Sequence, residues 1–338
     1  MLKNKKYHNF FLNWIGLLIT LIGLIIIVGG LTRLTDSGLS ITKWELFSGI
    51  LPPLSSRDWE NYFLEYKEIP QFLLLNSKMS LNEFKTIFLW EYYHRLLGRL
   101  IGLTFIIPFL FLLYKQVLEK NLIVKLSIIF LLILCQGLIG WYMVVSGLTN
   151  NVTVSHYRLA FHLSTAFVIL SSLIWIFMNY YMGQNKKFFQ INLNFLILKI
   201  LMALIFIQII IGALVSGLDA GKIYQSWPLM NGRYFPDDYL FNDLFNLNNP
   251  SFVQFLHRNT AYLICLFTIF LGIYIYKNKI IRLYKAYLFF FLVIVLQVIL
   301  GISVLFSNLD ILFASSHQIS SILLIVCVLN MYHRSVIS

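Results

Sequence analysis

The sequence predicts an all-α membrane protein of eight transmembrane helices, arranged as two four-helix bundles related by a pseudo-twofold axis. Three observations predict it. Apolar runs of about 20 residues, each long enough to span a bilayer, recur along the whole chain. The connections between the runs alternate in charge. The second half of the chain repeats the first.

The runs come first. Hydrophobic residues make up 59% of the chain and charged residues 12%, with a mean hydropathy of +0.78. A soluble domain keeps about a quarter of its residues charged, so this chain has too few for a water-facing surface. One apolar run alone reads as a buried core helix; eight in one chain do not. The spans fall near 11–30, 86–114, 122–146, 157–181, 194–217, 252–276, 284–307 and 310–332. The second helix is predicted to start early, because Ser80 and Glu83 form a capping box, S-x-x-E, ahead of its apolar run. The N-terminus carries Lys3, Lys5 and Lys6 before a long apolar run with no small-residue cleavage site, which reads as an anchored first helix. Cys135, Cys265 and Cys327 lie inside apolar runs without a CxxC pair and read as packing residues.

Charge sets the orientation. A net charge of +12 would suggest nucleic acid in a soluble protein, but here the lysines cluster in short connections between spans, and no nucleic-acid partner is expected. One set of segments holds the N-terminal lysines, Lys115 with Lys120, Lys186 with Lys187, the group Lys277, Lys279, Arg282 and Lys285, and Arg334. Glu119 is the only acid among them. The positive-inside rule then puts both termini in the cytoplasm of an inner-membrane protein. The long connections 31–85 and 218–251, and the short one at 147–155, face the periplasm.

The two halves repeat. "VGGLTRLTDSGLSI" parallels "IGALVSGLDAGKIY", and "EYYHRLLG" parallels "QFLHRNTA". "LCQGLIGWYMVVSGL" parallels "VLQVILGISVLFSNL", and "RLAFHLSTAFVIL" parallels "FASSHQISSILLI". Four helices is an even number, so both halves, 1–185 and 186–338, enter the membrane in the same direction, like other parallel repeats. Each half is expected to be a bundle whose interior houses a cofactor.

The repeat pairs four histidines. His94 matches His257, and His162 matches His317. All four lie on even-numbered helices, roughly one to two turns below the outer surface at about 1.5 Å per residue. Two imidazoles facing across a bundle are what six-coordinate haem iron needs. A lone intramembrane histidine is more often a hydrogen-bonded packing residue, but ionisable groups at this depth are costly and usually functional, and four at matched depth read as ligands. Zinc wants three or four close ligands, more than one pair supplies. His8, His156 and His333 lie at or beyond span ends and read as interfacial.

Arginines accompany the ligands. Arg95 follows His94, Arg258 follows His257, and Arg158 shares the face of His162 one turn earlier. They are candidate contacts for haem propionates, which guanidinium matches bidentately; the alternative is interfacial snorkelling. One feature breaks the symmetry. Glu91 lies one turn before His94, and its counterpart is Gln254. A carboxylate there suits a proton acceptor or an electrostatic partner for a cationic intermediate. The asymmetry suggests one haem that is worked on and one that is a fixed electron carrier.

Over nearly its whole length the sequence resembles the haem A synthase family, in the form found in alphaproteobacteria and mitochondria. The resemblance rests on "GGLTRLTDSGLSITKWELFSGILPPLS", "EYYHRLLGR", "GWYMVVSGL", "SHYRLAFHL" and "SGLDAGKIYQSWPLMNGRYFPD". It implies oxidation of the C8 methyl of haem O to a formyl group, by two hydroxylations and loss of water, giving haem A for cytochrome oxidase. It implies haem B as cofactor on His257 and His317, substrate haem on His94 and His162, and Glu91 as the family's E-x-x-H glutamate assisting methyl oxidation. It also implies a haem O synthase as supplier and a separate electron acceptor. The cysteine pair that some members carry in the first outer loop is absent here. Two other functions share parts of this pattern. An electron-transfer cytochrome b more often spreads its haems across both membrane faces, whereas all four histidines here map to one. A non-enzymatic haem carrier would explain the pairs but not Glu91 opposite Gln254.

Overall fold

The computed structural model describes residues 3–43, 48–148, 152–189, 196–238 and 246–336. Parts of the outer connections, at 44–47, 149–151 and 239–245, lie outside them, and with the first goes part of the longest family-like stretch. Ten α-helices are found among the described residues: α1 (His8–Leu34), α2 (Ser56–Lys67), α3 (Pro70–Leu75), α4 (Leu81–Tyr114), α5 (Lys120–Gly147), α6 (His156–Tyr181), α7 (Leu196–Gly217), α8 (Pro250–Lys277), α9 (Ile281–Phe306) and α10 (Ile311–Ser335). Eight of them, all but α2 and α3, are long and apolar enough to cross a membrane. The chain is thus an all-α, multi-pass membrane protein. Large apolar side chains face outward in stripes that water would not tolerate: on α4, Leu103, Ile107 and Leu110 are 57%, 63% and 55% exposed.

The helix ends follow the sequence signals. Ser80 Oγ accepts from the Glu83 N–H while Glu83 accepts from the Ser80 N–H, closing the predicted box. That cap starts α4 at Leu81, ahead of its apolar run. The amphipathic stretch "RDWENYFLEY" forms most of α2, capped in the same way by Ser55 and Asp58.

By packing, the chain divides into two compact units. One is built chiefly from Leu17–Ile169. Here α2 packs on α4. Phe63 and Tyr66 of α2 each place a ring 5.1 Å from Phe84 at the start of α4. Tyr66 donates to Gln71, whose amide in turn donates to the Asp36 carbonyl. Within the connection between α1 and α4, α2 and α3 therefore form a packed cap on α4.

The other unit is built chiefly from Leu170–Ser338 with His8–Gly16. Its closest helix pairs are α7 with α8 and α9 with α10. His333, expected at the interface, is instead fully buried. The chain after α6 folds over the end of α10: Asn179 bonds the backbone of Lys186 in both directions, Lys186 Nζ donates to the His333 carbonyl at 2.8 Å, and His333 Nε2 lies 3.0 Å from Asn179 Oδ1. A ring with polar partners inside the protein has no need of the interface.

Candidate functional site

The four histidines come together as two facing pairs. His94 of α4 and His162 of α6 place their ring centroids 6.3 Å apart, with ring planes inclined by 37°. His257 of α8 and His317 of α10 are 6.4 Å apart and inclined by 78°. The Nδ1 atoms of His162, His257 and His317 are buried without a hydrogen-bond partner. Buried polar atoms are normally satisfied. His156 Nε2 and His333 Nδ1 are buried ring nitrogens of the same kind; what sets the other three apart is that they stand in facing pairs suited to a shared metal. No third His, Cys, Asp or Glu completes a metal-sized group around either pair among the described residues.

The spacing suits a shared metal. With metal–imidazole bonds of about 2 Å and ring nitrogens about 1.2 Å from the centroid, a metal between two opposed imidazoles separates their centroids by roughly 6.4 Å. Both pairs match that figure. The residues present therefore fit a two-imidazole axial set for haem iron.

Each pair is tied to the neighbouring helices. The Gln136 amide of α5 donates to the His162 carbonyl at 2.9 Å, and the Gln208 amide of α7 donates to the His257 carbonyl at 3.0 Å. Arg158 donates to Ser146 Oγ, lies 3.3 Å from the Tyr142 hydroxyl and stacks 4.5 Å above the Tyr142 ring.

The two arginines that follow histidines do the same thing in each unit. Arg95 donates to the carbonyls of Ile41 (3.0 Å) and Lys43 (3.3 Å). Arg258 donates to the carbonyls of Tyr224 and Ser226, each at 2.9 Å. Asp36 and Asp219, both in the left-handed conformation with φ of 50°, occupy matching places after α1 and α7. Counting onward from each, Ile41 matches Tyr224 and Lys43 matches Ser226. Equivalent arginines thus clamp equivalent carbonyls of the connections that follow α1 and α7.

Glu91 stands inside this clamp. Its Oε2 accepts from Ser40 Oγ (2.7 Å) and the Ile41 N–H (2.9 Å), and its Oε1 pairs with Arg95 at 2.6 Å. The carboxylate is 3% exposed at the residue level, so it is held on three sides. Gln254 instead donates its amide to the Tyr224 carbonyl at 2.8 Å. Ser40 escaped the sequence reading. Its signal was available: in the same alignment Ser40 falls opposite Ile223, so the hydroxyl and the carboxylate it binds are unmatched together.

Fold and site define a class: a polytopic helical membrane protein with two half-buried pairs of facing imidazoles and one unmatched carboxylate. The chain belongs to the cytochrome oxidase assembly protein family, whose model matches residues 12–329. It is 48% identical to Heme A synthase of Pelagibacter ubique (strain HTCC1062) over 327 residues, covering 95% of each chain. It is 41% identical to Heme A synthase of Maricaulis maris (strain MCS10), over 93% of this chain and 92% of that one. It is 42% identical to Heme A synthase of Rickettsia bellii (strain OSU 85-389), over 91% and 93% respectively. The resemblance read from the motifs stands.

Proposed function

We propose that the chain is an oxidoreductase that converts the C8 methyl group of haem O to a formyl group, producing haem A for cytochrome oxidase. Similarity to the synthases over nearly the full length supports it. The observation that carries it is the pairing of two equivalent imidazole sets with one unmatched acid: Glu91 and Ser40 in one unit, Gln254 and Ile223 in the other.

In this reading His94 and His162 hold the substrate haem, and His257 and His317 hold haem B. Haem iron, when bound, supplies the redox chemistry. The chain's own groups supply the rest. The histidines fix the porphyrin between helices. Arg95, Arg158 and Arg258 would supply positive charge for the haem propionates, Arg95 already paired with Glu91. Glu91, held by Ser40 Oγ and the Ile41 N–H, is a fixed acceptor for protons leaving the substrate methyl. The packed cap formed by α2 and the start of α4 keeps bulk water from that carboxylate.

The positive-inside distribution supports an inner-membrane location with cytoplasmic termini and imidazole pairs towards the periplasm. Repeats 1–185 and 186–338 each house one haem. A haem O synthase supplies substrate, and an external acceptor takes the electrons. Expression with a source of haem O, followed by pigment extraction and mass spectrometry, tests the activity. Formylated haem is expected; if neither hydroxylated nor formylated haem appears, the proposal fails.

A further inference from the structure

Every one of the four histidines rests against a glycine of the transmembrane helix that precedes its own. A β-carbon built on Gly29 of α1 would lie 3.1 Å from Cε1 of His94. One on Gly212 of α7 would lie 3.1 Å from Cε1 of His257, and one on Gly301 of α9 would lie 3.2 Å from Cε1 of His317. Gly140 of α5 faces Cε1 of His162 at 3.6 Å, an ordinary contact. The partner atom is the same each time: the carbon between the two ring nitrogens. Other helical glycines vary: Gly23, Gly102 and Gly137, on α1, α4 and α5, face nothing within 4 Å, while Gly147 and Gly272 admit the side chains of Leu39 and Tyr287. What recurs is the same imidazole carbon at matching places in both units.

We propose that Gly29, Gly212 and Gly301 are positioning residues for the iron ligands. The inference rests on the haem reading of the two pairs. A missing side chain lets another group approach a helix closely, and here the approaching group is each time an imidazole. A methyl at 3.1–3.2 Å from the ring forces it to shift by a few tenths of an ångström. Metal–ligand distances hold to within about 0.2 Å, so a shift of that size is felt at the metal. The glycines therefore set where each ring stands across its 6.3 or 6.4 Å gap. In α5, α7 and α9 a glutamine precedes the glycine by four residues (Gln136, Gln208 and Gln297), one turn along the same face. The first two fix the backbone of the histidine that their glycine admits. In α1 that position is Ile25.

The test uses the full-length chain in detergent, loaded with haem B, and reads the optical spectrum, the midpoint potential and the melting temperature. Gly212→Ala and Gly301→Ala are expected to convert part of the low-spin, six-coordinate haem to a high-spin form and to shift its potential, with little change in melting of the haem-free protein. Gly140→Ala and Gly137→Ala are expected to keep the wild-type spectrum. Wild-type spectra in both Gly212→Ala and Gly301→Ala would overturn the inference and leave the haem reading intact. Failure of both to fold without haem would also overturn it, by assigning the glycines to helix packing. If the wild type binds no low-spin haem, or keeps an unchanged spectrum in His257→Ala and His317→Ala, the ligand reading itself falls.

Discussion

Arg95 and Glu91 form an ion pair across one turn of α4, with a guanidinium nitrogen 2.6 Å from a carboxylate oxygen. Their side chains are 14% and 5% exposed. The same guanidinium reaches two carbonyls of the outer connection, and the same carboxylate reaches Ser40 and the Ile41 N–H. The acid proposed for catalysis is therefore also a structural partner of the cap above it, so its variants must be separated by what they leave unpaired.

Glu91→Gln keeps the shape and most of the hydrogen-bonding sites but loses the acid. It should retain bound haem B and accumulate haem O or a hydroxylated product, seen by mass spectrometry of extracted pigment. Unchanged haem A output would remove Glu91 from the chemistry. Arg95→Ala should behave differently. Stranding a buried charge costs about 3–5 kcal/mol, so thermal stability should fall along with activity.

Arg258→Ala should loosen the second outer connection. It removes two charge-assisted hydrogen bonds, worth about 1.5–3 kcal/mol each. Tryptic cleavage at Lys222, which is exposed, should speed up roughly tenfold or more. Arg258→Lys should recover only part of the protection, because one ammonium lacks the fork that spans both carbonyls. Equal cleavage rates in wild type and Arg258→Ala would show that the clamp does not hold the loop.

The same loop should respond to alkali. Burial, then hydrogen bonds to Asp237 and Asp238, push the Tyr224 hydroxyl from 10.0 up to about 12. A raised value favours the protonated, folded form, so this contribution is complete below about pH 10 and fades as pH rises towards 12. Donation from Tyr224 holds Asp237 below its ordinary 3.8, so that contribution fades only as pH falls below this value. Protection of residues 220–238 from hydrogen exchange, taken relative to the base-catalysed intrinsic rate, should be steady near neutrality and fall above pH 10. Tyr224→Phe should abolish the alkaline transition; its persistence would exclude Tyr224 as the cause.

If each imidazole pair holds haem as proposed, the two should differ in electron paramagnetic resonance. Near-perpendicular imidazoles on low-spin iron would give a strongly anisotropic signal, and more nearly parallel rings a normal rhombic one. With 78° between the rings of His257 and His317 against 37° for His94 and His162, the anisotropic signal is expected from the pair proposed for haem B. Its loss in His94→Ala, with retention in His257→Ala, would reverse the assignment.

Much of this was legible in the residues. The eight spans follow from apolar runs, and the early start of α4 from Ser80 and Glu83. The pairing of the histidines followed from the repeat and is met at 6.3 and 6.4 Å. The partners of Arg95 and Arg258 were not legible, because they are carbonyls, which every residue carries. Nor was the burial of His333, which depends on the chain after α6 folding back to bring Lys186 to it. Glycines opposite imidazoles carry no side-chain signal at all; a glutamine four residues earlier marks Gly140, Gly212 and Gly301, and Gly29 follows Ile25 instead.

Because the arginine clamps grip main-chain oxygens, they place no demand on the side chains they hold. Ile41 and Tyr224, or Lys43 and Ser226, share no chemistry, yet they are grasped alike. A duplicated ancestor could thus let its two outer connections drift apart in sequence, one acquiring Ser40 beside an acid and the other not, without either losing its anchorage. The fastening thus leaves the neighbouring side chains free to differ, as Ser40 and Ile223 do beside the two clamps.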